Sequence, residues 1–241
     1  RIFPSALSTQ CQHDLNRCYV RSCYDEYFEK ILAALARGHD IITVTGQSGT
    51  GTSMFFAYFC SRYSESIVAA AFTNTSELQR VAVFEQGRIT NTIKRNRYGF
   101  LEDVQAQAIA RRADYIYSYD GSPSFAPTAP ARVVCFTSPS ADWFRQMLDE
   151  ETALTLYMPL WGMEELVTAA NCLQLGLLGP PVTRATVEER RYFFGGVARD
   201  CLRTIEVELP MLRVRREIHG VNILDLGRLR NGIWAPMHYR I

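Results

Sequence analysis

Residues 45–53 read TGQSGTGTS. They follow the phosphate-binding pattern G-x-x-x-x-G-K-[ST] at Gly46, Gly51 and Ser53, with Thr52 standing where the lysine belongs and Gln47, Ser48, Gly49 and Thr50 between. The chemistry open to such a loop is anion capture. Backbone N–H groups converge on a phosphate, reinforced by the positive end of a helix dipole. Glycines at 46, 49 and 51 allow the backbone angles and the close approach this requires. Ser53 supplies a hydroxyl suited to magnesium. Threonine at 52 leaves the cradle but removes one charge-assisted contact of about 1.5–3 kcal/mol, so binding weakens roughly ten- to a hundredfold without being abolished. The alternative is a glycine-rich strand-to-helix turn that holds no ligand.

The second chemical element is YIYSYDG, in which Asp120 ends an apolar-flanked run and is placed to hold magnesium directly or through water. An aspartate before a glycine is also an ordinary turn residue. Order favours the chemical role: two strand candidates lie between the glycine loop and Asp120, and a further strand ending in Thr137 and Ser138 follows it. That order suits P-loop NTPases whose two motif strands are separated by an inserted one. Hydrolytic members commonly carry a glutamate just after the aspartate, and Gly121 occupies that place here.

Stepping outward, helical spacing of Tyr27, Ile31, Leu32 and Leu35 predicts a first helix over 24–36, stopped by Gly38. A β-branched run at 41–45 predicts a buried strand, and 53–63 a helix. Strands are expected at 66–72, 80–85, 114–121, 131–138 and 153–160. Helices are expected at 100–112 and around 141–151, with a polar stretch at TNTIKRNRYG. Alternation of strands and helices predicts an α/β fold: a three-layer αβα P-loop NTPase with a parallel sheet, over residues 1–160. After Trp161 the pattern turns helical, which predicts a helical lid at 161–218. Residues 219–241 read as the start of a truncated C-terminal element.

With 241 residues and a net charge of +1, the chain has the balance of an ordinary globular protein and no electrostatic footprint for bulk nucleic acid or membrane. No apolar run is long enough to span a bilayer. The seven cysteines read as reduced; Cys11, Cys18, Cys23 and His13 lack the C-x2-C spacing of a zinc site. The chain opens at Arg1 without a methionine or leader, and reads as a piece of something longer. Lys94–Arg97 reads as a solvated loop or a phosphate or nucleic-acid contact. Trp161, Tyr157 and Met158 read as core, with base stacking as the alternative. No histidine has a catalytic partner in sequence.

YMPLWGMEEL (157–166), ERRYFFGGVARDCL (189–202), VVCFTSPSADWF (133–144) and TGQSGTGTSMFFAYF (45–59) together resemble the NTPase module of oomycete Crinkler effector proteins. That module is in turn similar to retrotransposon hot-spot proteins of trypanosomes. The resemblance runs from about residue 19 to about residue 205. It implies ATP and Mg2+ as ligands and a secreted virulence effector acting in the host cell nucleus. It also implies a translocation header before this module and an effector domain after it, through which a host nuclear protein or nucleic acid would be met. Arg199 in GGVAR resembles a second-sensor arginine of the catalytic site, reaching from the lid towards the outer phosphates, and Arg190 is a second candidate. The alternative for Arg199 is a surface ion pair with Glu188 or Asp200. Family members usually have a TGTPGIGKS-like loop, from which Thr52 departs. Three functions stay open: a nucleotide-binding regulatory module with little or no hydrolysis, an ATPase in which an arginine replaces the lysine, and a ligand-free interaction domain. Oligomerisation is left open, as is ATP against GTP.

Overall fold

The computed structural model describes residues 18–63, 67–72, 76–85, 88–94, 98–113, 115–124, 131–148, 150–175, 181–203, 211–212 and 215–216. They form two compact units: one runs to Gly46 and resumes over Gly51–Pro159, and the other joins Gln47–Thr50 to the chain from Leu160 onward.

The first unit is an α/β sandwich. Helix α1 (Cys23–Ala36) buries Tyr24, Phe28, Ile31 and Leu35, a spacing that keeps one stripe against the core. It ends where Gly38 takes φ +91 and the N–H of His39 reaches back to the Ala34 carbonyl at 3.1 Å, a Schellman-type stop. Strand β1 (Ile41–Thr45) leads through the glycine loop into α2 (Thr52–Arg62). Strands β2 (Ile67–Phe72), β3 (Leu78–Glu85) and β4 (Arg88–Lys94) precede α3 (Tyr98–Arg111). Then come β5 (Ile116–Asp120), β6 (Arg132–Phe136), α4 (Ala141–Met147) and β7 (Ala153–Tyr157).

The strand order is β4-β3-β2-β5-β6-β1-β7, and β2, β5, β6, β1 and β7 run parallel. The sheet is not all-parallel as the sequence predicts: β3 runs antiparallel to β2, and β4 to β3. The reason is connection length. A parallel neighbour needs a crossover of about a dozen residues or more, whereas only residues 73–77 and 86–87 are available at these two steps. The polar stretch contains strand β4, so three strands, not two, separate the glycine loop from Asp120. Polar residues suit β4 because it is an edge strand, exposed from Arg88 to Thr92.

Two cores follow from strand alternation. Ile42, Val44, Ile116, Val134 and Phe136 face α1 and α2 on one side; Ile41, Tyr117, Tyr119, Val133 and Cys135 face α3 and α4 on the other. The first core is aromatic: the Phe136 ring lies 5.4–5.8 Å from those of Phe55, Phe56 and Phe59. Truncating such a ring to alanine costs about 3–5 kcal/mol, which is what clamps α2 at one height above the sheet.

The second unit is helical. Helix α5 (Met163–Cys172) packs on α6 (Arg184–Phe194), and α6 on α7 (Ala198–Cys201). Leu166, Ala169, Val187, Phe194, Val197 and Cys201 are buried among them. Gly195 and Gly196 separate α6 from α7. Residues 219–241, read as the start of another element, lie outside the described residues. No helix among the described residues is long and apolar enough to cross a membrane.

Candidate functional site

The glycine loop leaves the carboxyl end of β1, where open parallel sheets bind ligands. Its tip is a turn closed by Thr50, whose N–H and hydroxyl both donate to the Gln47 carbonyl, at 3.1 and 2.8 Å. Gly49 and Gly51 take φ +93 and +100, the left-handed region in which a side chain is strained. Gly51 is the N-cap of α2 and offers no side chain to it. Among the described residues, no acceptor meets the N–H groups of Gly51, Thr52 or Ser53. Three donors at the positive end of an 11-residue helix are thus left for an anion. The loop's incoming residue, Thr45, buries a hydroxyl that likewise has no partner among the described residues.

Asp120 ends β5, one strand removed from β1: it pairs with Phe136 of β6, which pairs with Val44 of β1. Two strand spacings of about 4.8 Å separate β5 from β1. The Ser53 hydroxyl spans that gap by donating to Asp120 Oδ1 at 2.8 Å. The aspartate is 1% exposed, so its charge acts in a poorly screened setting. Two neighbouring thiols register this. Burial pushes the Cys60 thiol up to about 12, with Asp120 adding to the rise and a hydrogen bond to Ser118 opposing it. Burial, and then Asp120, hold Cys135 well above the usual thiol range. After Asp120 the backbone turns through φ +91 at Gly121.

A hydroxyl and a carboxylate are hard oxygen donors, the kind magnesium takes when phosphates and waters complete its shell. Among the described residues, no group of three or more His, Cys, Asp or Glu side chains could hold a metal by itself. The pair supplies two oxygen donors, so phosphate or water oxygens would have to complete the shell of a cation held there.

In the second unit the loop tip meets Trp161, Val197 and Arg199 of α7. The Arg199 N–H donates to the Gly49 carbonyl at 3.1 Å, and its guanidinium donates to Ser48 Oγ at 3.1 Å. Neither carboxylate considered from sequence takes Arg199: Glu188 lies 3.9 Å from Arg184, and Asp200 3.9 Å from Arg203. Arg190, the other candidate, is 4% exposed and donates to the carbonyls of Cys201 and Arg203, where it caps the end of α7. Trp161 is buried, as expected of a core residue, but its indole also donates to the Thr50 carbonyl at 2.8 Å.

Two residues of the site escape sequence reasoning. Tyr24, fully buried on α1, donates its hydroxyl to the Gly51 carbonyl at 3.2 Å. It reads as one more apolar position of a helix, and only a buried phenol's need for a partner hints otherwise. Trp161 is the second, for the same reason. Thr137 sits at the end of β6 with its N–H on the Val44 carbonyl at 3.0 Å and its hydroxyl on the Ser138 carbonyl at 3.0 Å. Lys94 closes β4, and residues 95–97 of the basic run lie outside the described residues. His39 donates from Nδ1 to the Thr152 carbonyl, 3.2 Å away, and the other three histidines lie outside the described residues. Cys60, Cys135, Cys172 and Cys201 are free thiols. No protein-family model and no curated protein matches this chain.

Proposed function

We propose that this chain is a nucleotide-binding module of the P-loop type that takes ATP with Mg2+ at residues 46–53 and Asp120, and acts as a regulatory module with weak or absent hydrolysis. The observation that carries the reading is the 2.8 Å bond from Ser53 to Asp120. The two residues are 67 apart in sequence, and meet beside a helix start whose N–H groups have no acceptor among the described residues. The position of β6 between β1 and β5 supports the class in which the two motif strands are separated by one.

In this reading the N–H groups of Gly51, Thr52 and Ser53 bind phosphate oxygens, and the buried Asp120 holds Ser53 in the orientation that offers its oxygen to the cation. Bound Mg2+ would neutralise phosphate charge and order the triphosphate. Weak hydrolysis follows from two positions. Thr52 brings no charge to the phosphates. Gly121, where hydrolytic relatives carry glutamate, has a φ of +91 that a glutamate adopts only under strain. One contact favours the ATPase reading: the Arg199 guanidinium, 3.1 Å from Ser48 Oγ, brings a cation to the loop tip that lacks its lysine. Membership of the Crinkler-type class rests on the four sequence segments. Secretion, a host nuclear site of action and a host protein or nucleic-acid target met through flanking domains go with that membership.

Titration calorimetry with ATP and MgCl2, followed by a phosphate-release assay, separates the readings. Heat without phosphate release is the expected result; heat with release selects the ATPase, and no heat selects an interaction domain. Asp120→Ala is expected to abolish the magnesium dependence of binding with the fold intact by circular dichroism. Full magnesium dependence in that variant would refute the assignment of the cation to this pair.

A further inference from the structure

A loop that takes an anion must do more than aim its N–H groups; it must keep its carbonyl oxygens, which carry partial negative charge, turned elsewhere. Here three consecutive carbonyls are each held. The Gly49 oxygen accepts from the Arg199 N–H at 3.1 Å, and the Gly51 oxygen accepts from Phe55 N at 2.9 Å and Tyr24 Oη at 3.2 Å. The Thr50 oxygen accepts from the Trp161 indole at 2.8 Å. Because a trans peptide is planar, its carbonyl and the following N–H point in opposite directions. Holding the Thr50 carbonyl therefore dictates where the Gly51 N–H points.

We propose that Trp161 is a positioning residue of the loop: its indole N–H pins the Thr50 carbonyl and so keeps the Gly51 N–H turned outward for a phosphate oxygen. The proposal rests on the nucleotide reading above. The backbone on either side of Trp161 is closely packed. The Trp161 N–H donates to the Gly196 carbonyl at 3.0 Å, and a Cβ at Gly196 would come within 2.5 Å of the Trp161 carbonyl oxygen, so only glycine lets that segment lie against the tryptophan backbone. The same segment carries Val197 and Arg199 onto Gly49, where a Cβ would stand 2.9 and 2.8 Å from their side chains. Thr50 itself is fully buried, so its carbonyl has no water to fall back on when the indole is removed.

The test replaces the indole at position 161 of the full chain by the isosteric benzothienyl group, which keeps the volume and removes the N–H, with Trp161→Phe as a second variant. Hydrogen exchange without nucleotide is read at the Thr50 amide, whose bond to Gln47 closes the tip, and ATP·Mg2+ affinity is read by calorimetry. Loss of one neutral hydrogen bond is expected to speed Thr50 exchange and to raise the Kd by about two- to tenfold. Amides of β1, β5 and β6 are expected to stay as protected as before. Unchanged Thr50 exchange and unchanged Kd in the benzothienyl variant would overturn the proposal. If the unmodified chain gives no heat with ATP while Thr50 exchange still rises in the variant, the nucleotide reading fails and Trp161 is a structural anchor with no phosphate role. If both variants fail to fold, the indole Nε1 resonance of the unmodified chain decides: slow exchange and a shift on adding ATP·Mg2+ support the proposal, and an unmoved resonance overturns it.

Discussion

Replacing Gly49 with alanine puts a methyl group where two others already stand. The new Cβ would lie 2.8 Å from Arg199 Cβ and 2.9 Å from Val197 Cγ1, closer than carbon atoms approach without displacement. Neither obstacle is the loose end of a long side chain, so backbone must move. Such overpacking costs about 1–3 kcal/mol. The backbone adds a second term, since φ is +93 and left-handed geometry costs a non-glycine residue about 1–2 kcal/mol. Alanine also lowers the entropy of the unfolded chain, which offsets about 0.4–1 kcal/mol. The net expectation is a loss of about 1–4.6 kcal/mol, by difference. Gly38 isolates the two terms, because it has φ +91 and nothing within 4 Å of its Cβ position. Gly38→Ala therefore carries the backbone cost alone, about 0–1.6 kcal/mol after the same offset. The assay is urea unfolding of both variants, with native-state hydrogen exchange at residues 47–50 and 197–201 to show where Gly49→Ala acts. A Gly49→Ala penalty no larger than that of Gly38→Ala would refute the close packing of Val197 and Arg199 on the loop tip within the second unit.

Thr52 stands at the first position of α2 and is half-buried, so Thr52→Lys is expected to tighten ATP binding roughly ten- to a hundredfold, as one restored charge-assisted contact; unchanged affinity by calorimetry would remove the loop from the site. Burial raises the Cys60 thiol from 9.0 to about 12 and Cys201 to about 11. The native chain therefore keeps protons that the unfolded chain gives up. Unfolding free energy is expected to fall as pH rises from about 9 to about 12, seen as a declining urea midpoint. At pH 8 the same shift leaves Cys60 about a thousandfold poorer in thiolate than an ordinary thiol, so the exposed Cys172 should be alkylated first by mass spectrometry. Equal labelling of the two would contradict the raised Cys60 thiol.

The sequence by itself determined the order of elements and the chemistry they carry. Strand, glycine loop and helix at 41–62 are written in β-branched residues, glycines and a phenylalanine-rich helical stripe, and these are local signals that no distant contact has to complete. Asp120 is legible too, because the end of an apolar strand is where a sheet exposes its ligand-binding residues. The direction of β3 and β4 was already present in the shortness of their connections, but the polar composition of β4 hid it: an edge strand need not alternate. What only tertiary structure decided is which donor meets which acceptor. That Ser53 reaches Asp120, that Arg199 chooses Ser48 over the acids beside it, and that Arg190 turns inward to cap carbonyls all depend on contacts between residues far apart in sequence, except the last. Tyr24 and Trp161 show the physical reason most plainly. From sequence each is an apolar ring at a core position, and the single polar atom that makes it part of the site acquires meaning only when folding brings a loop carbonyl within 3.2 Å of the phenol and 2.8 Å of the indole.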